Sequence, residues 1–473
     1  MKKPAFLFLL IVLGSVTFAQ QTKSVNYNQY FSGETMRVDY FHTGTTTEEH
    51  FSLDRILNDG SWAGSQTVML DDLNRGLYFF KITDTLTNTL LFSRGFASIF
   101  GEWQSIGDPA WGTFHESIRF PWPKLPVRLT IEKRDAKNNF SAIWSTVIDP
   151  KSRIVNPSVL KSDYKTFSYI ENGKSDNHVD IVILGDGYTA AEMDKFHNDV
   201  KTLTDELFTV EPFKSRKADF NVRAVETASA ISGVNKPHPG VFNRTPLSMS
   251  YGAFDSERYA LSYDNRTIRD VAASVAYDYM FILINERTYG GGGIFNLYST
   301  VAADNKFSRY IFVHEFGHSF AALADEYYTS DVSYQSTEIT VEPWEPNVTA
   351  LLDASNLKWK NLVKPGTPIP TPWLKTEYDN YSYSIQKERR ALRAANVPET
   401  EMEALFGREK KTSLEMFATN KYKDSTGAFE GGNYMQFGIY RSALDCIMFT
   451  RNKQEFCPAC AKAISEVIDM YAK

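Results

Sequence analysis

Ser308 to Ala324 reads SRYIFVHEFGHSFAALA, a largely apolar run long enough for a helix, with His314-Glu315-Phe316-Gly317-His318 inside it. Histidines four apart stand one turn from each other on the same helix face, about 6 Å along the axis, so both imidazoles can reach a single ion. Glu315 follows the first histidine and points beside that ion rather than at it. A carboxylate there can take a proton from water and return one to a leaving amine, as a general acid/base does. Zn2+ suits this set because it lowers the pKa of a bound water towards neutrality. The bland alternative, a buried helix whose histidines satisfy backbone carbonyls, sits poorly with the strand and the Gly-rich stretch just upstream.

A hydrolytic zinc site takes three protein ligands and keeps one position open. Beyond His314 and His318, the nearest good third ligand is Asp325; Glu326 is the alternative, and Tyr327 and Tyr328 are weaker ones. Along a straight helix Asp325 would stand about 16 Å beyond His314, far outside a metal bond of about 2 Å. The helix is therefore predicted to stop and fold back between Phe320 and Ala324. That segment holds no glycine, so ordinary residues must make the turn.

Upstream, Ile181 to Leu184 is a continuous apolar run, the sign of a buried strand, and Gly185-Asp186-Gly187 turns it towards a helix. Thr189 with Glu192 forms a capping box at that helix start. Phe220 to Glu226 and Tyr277 to Ile284 read as further strands, which makes this half α/β or α+β. Gly290 to Gly293 lacks the G-x-x-x-x-G-K pattern of a phosphate loop and reads as a loop or edge strand beside a cleft. Residues 331–413, with a Pro-punctuated loop at Lys364 to Pro372 and a charged helical pattern from Ile385 to Leu405, read as an insertion beside the site.

Between Tyr27 and Pro150 the grammar differs. Short strands such as Thr35 to His42, Gly76 to Thr83, Thr89 to Ala97, Val127 to Arg134 and Phe140 to Ile148 follow one another without helical periodicity, which indicates an all-β sandwich. His42, His50 and His115 in this part match no metal pattern. The expected organisation is a leader over residues 1–19, a β-sandwich accessory domain over 20–150 and a catalytic domain over 151–473.

The leader reading rests on Lys2 and Lys3, the apolar run Ala5 to Val16, and Thr17-Phe18-Ala19 before a cut after Ala19. It implies export to the periplasm, the cell surface or the medium, and no later stretch has the length of a membrane span. The formal charge of −6 includes no basic run able to neutralise phosphates, which argues against nucleic-acid binding. The only cysteines are Cys446, Cys457 and Cys460. In an oxidising compartment two are expected to pair and one to stay free. A zinc knuckle is the competing reading, but no fourth ligand lies nearby and no histidine follows His318.

Asp445-Cys446-Ile447-Met448 resembles the methionine turn that lies beneath the metal in metzincin peptidases, and a predicted C-terminal helix, Ala459 to Tyr471, follows it. Taken with the His314 to Tyr327 run, Val182 to Tyr188, Phe429-Glu430-Gly431-Gly432, Gly438 to Ser442 and Phe456-Cys457-Pro458-Ala459-Cys460, the chain resembles the IgA-peptidase family of secreted bacterial zinc metallopeptidases. The resemblance implies a metzincin-like catalytic fold, His314, His318 and Asp325 as zinc ligands, and Glu315 as base. It departs from the wider metzincin pattern, which has Gly and a ligand where this chain has Ala321 and Ala324. Tyr440, just before the methionine turn, is a further candidate catalytic residue, as a donor to the oxyanion.

The function so read is a zinc metalloendopeptidase acting on protein or peptide, host glycoprotein included. A glycoprotein-binding protein that keeps the fold with little activity is the alternative, and a zinc amidase or related hydrolase is a third reading.

Overall fold

The structure, a computed structural model, describes residues 25–107, 110–330 and 339–472. The leader expected over residues 1–19 and part of the 331–413 insertion lie outside the described residues.

After a short helix α1 (Tyr27–Tyr30), the N-terminal half builds two four-stranded sheets. One has the order β5-β1-β2-β8, from β1 (Phe31–Gly44), β2 (Glu49–Ser61), β5 (Gly112–Pro123) and β8 (Val155–Val159). The other has the order β4-β3-β6-β7, from β3 (Tyr78–Asp84), β4 (Leu90–Phe96), β6 (Val127–Arg134) and β7 (Phe140–Ile148). Val38, Tyr40 and Ile118 of the first share a core with Phe80, Ile82, Leu129 and Ile131 of the second. The period of two sends every other side chain inward.

The alternate residues of β1 are buried as well. Arg37 and Asp39 are sealed on the outer face, where Arg37 meets Asp59 at 2.6 Å and pairs with Asp270 of the C-terminal half. Charged residues in that register read as a solvent face. Here they form a hydrogen-bonded ion network between halves, which satisfies their burial.

The second half is organised by a six-stranded sheet of order β15-β16-β14-β10-β11-β9. Its parallel centre comprises β10 (Val179–Asp186), β11 (Phe220–Val225), β14 (Tyr279–Ile284) and β16 (Tyr298–Ala302). The edges β9 (Thr166–Ile170) and β15 (Gly291–Ile294) run antiparallel. All of β10 is buried, with Ile181 and Ile183 in one core and Val182 and Leu184 in the other. Both faces are covered, which is why its sequence is an unbroken apolar run.

The Thr189–Glu192 capping box is present, Glu192 accepting from the Thr189 N–H at 2.8 Å. It leads into α3 (Met193–Leu207), and a two-strand ladder of β12 (Ser250–Tyr251) and β13 (Ala260–Leu261) precedes α4 (Asn265–Ala272). The first core takes α3, α5 (Ser308–Ala321) and α8 (Pro458–Tyr471). Residues expected as one charged helix form two, α6 (Lys375–Ala394) and α7 (Glu399–Ala418). Pro398 lacks an amide hydrogen and separates them. A three-stranded sheet, β17-β19-β18, joins β17 (Val348–Thr349), β18 (Phe429–Gly432) and β19 (Met435–Arg441).

The halves are locked together. Ile99, Phe100 and Trp103 of α2 (Ile99–Ser105), a helix of the N-terminal half, pack in one core with Leu184, Val225 and Ile282. Arg75 donates to the carbonyls of Ala321 and Ala463, at the end of α5 and within α8. Among the described residues no helix is long and apolar enough to cross a membrane.

Candidate active site

Helix α5 ends at Ala321, three residues before the end of the apolar run. Ala322 takes the left-handed conformation, φ 56° and ψ 36°, and the Leu323 N–H reaches back to the Gly317 carbonyl at 3.2 Å. This is a Schellman-type cap made without glycine. Asn347 holds the reversed strand by accepting from the Ala324 N–H and donating to the Ala324 carbonyl. The chain thus folds back where the metal-ligand argument required, at an alanine that pays about 1 kcal/mol of strain.

The reversal brings Asp325 to the two histidines. His314 Nε2 and His318 Nε2 lie 3.2 Å apart, and Asp325 Oδ1 lies 3.0 Å from the first and 3.2 Å from the second. The other ring nitrogens are occupied: His314 Nδ1 faces the Ile447 carbonyl at 2.9 Å and His318 Nδ1 faces the Leu323 carbonyl at 2.6 Å. A nitrogen facing a carbonyl carries the hydrogen, which turns the Nε2 lone pair of each ring inward. Two lone pairs and a carboxylate oxygen, buried and crowded together, repel unless a cation sits among them. Tetrahedral bonds of about 2.0–2.2 Å to nitrogen and oxygen set ligand atoms about 3.3–3.5 Å apart, so the residues fit one small divalent ion.

The electrostatics agree. Burial raises the carboxyl of Asp325, but the facing imidazoles outweigh it and hold the group well below the usual carboxylate range. Burial lowers His318, yet Asp325 lifts it to about 9, so without a metal a proton occupies the same place. Burial raises the pKa of Glu315, with the histidines pulling the other way. Its carboxylate stands with both imidazoles in one ligand-sized cluster.

The group opens on a cleft of about 810 Å³. Its walls come from both halves: Glu102, Arg134 and Asn138 from the first, Gly291 to Gly293, Arg258, Tyr327 and Tyr434 from the second. The glycines of β15 are there because α5 lies against them. A Cβ on Gly293 would stand 2.3 Å from the Glu315 carbonyl oxygen and 3.0 Å from the His318 Cβ. Met448 is fully buried beneath the histidine helix, its sulfur 3.0 Å from where a Gly317 Cβ would stand, and its carbonyl accepts from the Glu326 N–H at 2.8 Å.

Of the residues singled out from sequence, His314, Glu315, His318 and Asp325 are brought together. Glu326 is not; its side chain turns away to Asn347 and the cysteines. Tyr440 is not either. It sits opposite Thr349 and Glu430 in the β17-β19-β18 sheet, while its neighbour Ile439 lines the cleft. The strand alternates, so the two side chains cannot share a face. Other tyrosines reach the cluster: Tyr434, whose hydroxyl donates to Asp325 Oδ2, and Tyr310, whose hydroxyl lies 3.3 Å from His314 Nδ1. Tyr434 belongs to the Asn433-Tyr434 turn, where both residues have positive φ and whose amides bond the carbonyls of Asp325 and Tyr327. The Gly431-Gly432-Asn433 run signals a turn in the sequence, but not that the turn clamps the ligand loop. Arg258 was also missed; it donates to the Tyr327 hydroxyl at 3.0 Å.

Two nitrogens and one oxygen facing each other at the floor of an open cleft are a set that could hold a divalent metal where a substrate can reach it. The chain belongs to the family described as IgA Peptidase M64, which it matches over residues 168–468. Residues 26–145 match the family described as Peptidase M64 N-terminus. No curated protein matches the chain. The family is one of peptidases, so its substrate class is protein or peptide.

Proposed function

We propose that this chain is an exported zinc endopeptidase, with His314, His318 and Asp325 as metal ligands and Glu315 as general acid/base. The observation that carries the reading is the convergence of two Nε2 atoms and Asp325 Oδ1 within 3.2 Å, on the floor of a cleft of about 810 Å³. A zinc ion bound there supplies a Lewis acid that polarises the scissile carbonyl and makes water nucleophilic near neutral pH.

The chain's own residues do the rest. Glu315 accepts the proton that the attacking water loses and delivers it to the amide nitrogen as the C–N bond breaks. Its burial favours holding that proton between the two steps. The Ile447 and Leu323 carbonyls keep each imidazole in the tautomer that presents Nε2. Arg258 and Tyr327, which line the cleft, are better placed than Tyr440 to donate to the developing oxyanion. The buried Met448 below the histidines and the sheet beside α5 support a metzincin-like reading of this half.

The test is zinc content and digestion of casein by wild type and Glu315→Gln in parallel. Zinc at the histidine site in both, with cutting by wild type alone, is expected. Equal cutting by both would remove Glu315 from the mechanism, and cutting by neither would favour the glycoprotein-binding alternative.

A further inference from the structure

A second group of metal-ligand type lies behind the first and takes no part in the proposed hydrolysis. Cys446, Cys457, Cys460 and Glu326 are all buried, and one ligand atom from each lies within 4.8 Å of the others. The three cysteines are free. Cys446 Sγ and Cys460 Sγ are 3.9 Å apart, and Glu326 Oε1 lies 3.5 Å from Cys460 Sγ and 4.0 Å from Cys457 Sγ. Bonds of about 2.3 Å to sulfur and about 2.0–2.2 Å to oxygen give tetrahedral edges of about 3.5–3.8 Å. The spacing is that of ligands around one ion.

Hydrogen-bond donors gather on two of the three sulfurs, Cys457 and Cys446, while burial raises the Cys446 and Cys460 thiols. Cys457 caps the N-terminus of α8 and accepts from the Cys460 N–H at 3.5 Å, while Ser442 Oγ lies 2.9 Å from its sulfur. Cys446 Sγ accepts from the Cys457 N–H at 3.3 Å. Amide donors on sulfur and a helix N-terminus both favour the deprotonated form. Of the Glu326 carboxylate, Oε1 faces the cysteines and also accepts from Asn347 at 3.1 Å, while Oε2 is sealed from water without a hydrogen-bond partner. Such an atom is costly to bury unless a cation takes it up.

We propose that Cys446, Cys457, Cys460 and Glu326 form a structural site for a second, thiophilic divalent ion of the zinc class. Three thiolates and a carboxylate fill a tetrahedral shell and leave no position for substrate. The ion takes its ligands in their deprotonated forms, so binding releases protons. The ion ties together three segments that build the cleft floor: the loop carrying Asp325, the turn whose Ile447 carbonyl orients His314, and the start of α8. The knuckle that lacked a fourth ligand within its own stretch of sequence finds it in Glu326, brought in by the fold.

The test counts metal in the full chain after equilibration with zinc and removal of the unbound ion, in wild type and in the His314→Ala/His318→Ala variant. Wild type is expected to hold two equivalents and the histidine variant one. Replacing the remaining ion by Co2+ should give the near-ultraviolet thiolate-to-metal charge-transfer band. A Cys457→Ser/Cys460→Ser variant should lose that band. Because the cysteine variant can fail to fold, the histidine variant carries the decision. The proposal is overturned if that variant folds and holds no metal, or if wild type carries a disulfide, seen as a denatured mass lower by two hydrogens with a single reactive thiol. One equivalent in wild type with the thiolate band would support this site while removing zinc from the histidine site, so the two readings fail separately.

Discussion

Asp325 and Glu326 are consecutive in the chain and face different clusters: Asp325 Oδ1 lies 3.0 Å from His314 Nε2, and Glu326 Oε1 lies 3.5 Å from Cys460 Sγ. One extended dipeptide after the Ala322 turn thus joins the histidine group to the cysteine group. Asp325 is the better placed of two adjacent carboxylates because the backbone, pinned by Glu326 N–H to Met448 O, points only one of them at the histidines.

Tyr434 fixes the Asp325 carboxylate by donating to its outer oxygen. Tyr434→Phe is expected to weaken zinc binding at the histidine site by about 10–100-fold, the usual effect of losing a bond behind a ligand. Competition with a chromophoric chelator measures this. An unchanged affinity would mean that the turn holds Asp325 through backbone bonds alone.

Ala322 carries left-handed strain that a β-branched residue tolerates still less. Ala322→Val should destabilise the fold by roughly 1–2 kcal/mol beyond wild type, while Ala322→Gly should be neutral to about 1 kcal/mol stabilising, since glycine's gain is offset by its freer unfolded chain. Urea unfolding midpoints decide it. A valine variant as stable as wild type would show that the cap is remade elsewhere.

Gly293 leaves no room for a methyl group between β15 and α5. Gly293→Ala must push the edge strand away from the histidine helix, at a cost of about 1–3 kcal/mol typical of overpacking. Because His318 is one of the two neighbours displaced, kcat/KM should fall even where the protein remains folded. A variant with wild-type stability and turnover would contradict this packing.

His42 lies between Glu49 and Glu116, at 2.9 and 3.0 Å, in the N-terminal half. Burial raises Glu49, but hydrogen bonds from His42 and Lys133 outweigh it and bring its pKa down to about 2 from 4.5. A lowered carboxylate stabilises the fold above its unfolded pKa and loses that contribution as pH falls through the folded one, here from pH 4.5 to about 2. Burial lowers His42, but the two glutamates raise it overall, so its contribution is complete below 6.5 and fades as pH rises through the folded value. The stability difference between wild type and Glu49→Gln, at most about 3 kcal/mol, should be present near pH 6 and vanish near pH 2. A difference independent of pH would locate the effect in packing.

Much of this molecule is legible along the chain because the forces that write it are local. The strands Val127–Arg134 and Phe140–Ile148 appear at the residues their alternation marks, and the buried β10 follows from its unbroken apolar run. The histidine helix, the position of Glu315 beside its first histidine and the need for a reversal if Asp325 is to reach both imidazoles follow from helical geometry alone. Strand β5 is less legible because a charged residue, Glu116, stands at a buried position of its alternation.

By itself the sequence determined which residues can bind a metal and carry a proton, since four-residue spacing and ligand chemistry are properties of a single helix turn. Only the tertiary structure decided which carboxylate meets the histidines, that Tyr434 and not Tyr440 stands behind it, and that Glu326 completes a cluster with cysteines more than a hundred residues away. Those choices depend on where distant segments cross, and the crossing is set by burial and hydrogen bonding summed over the whole chain, which no local spacing records.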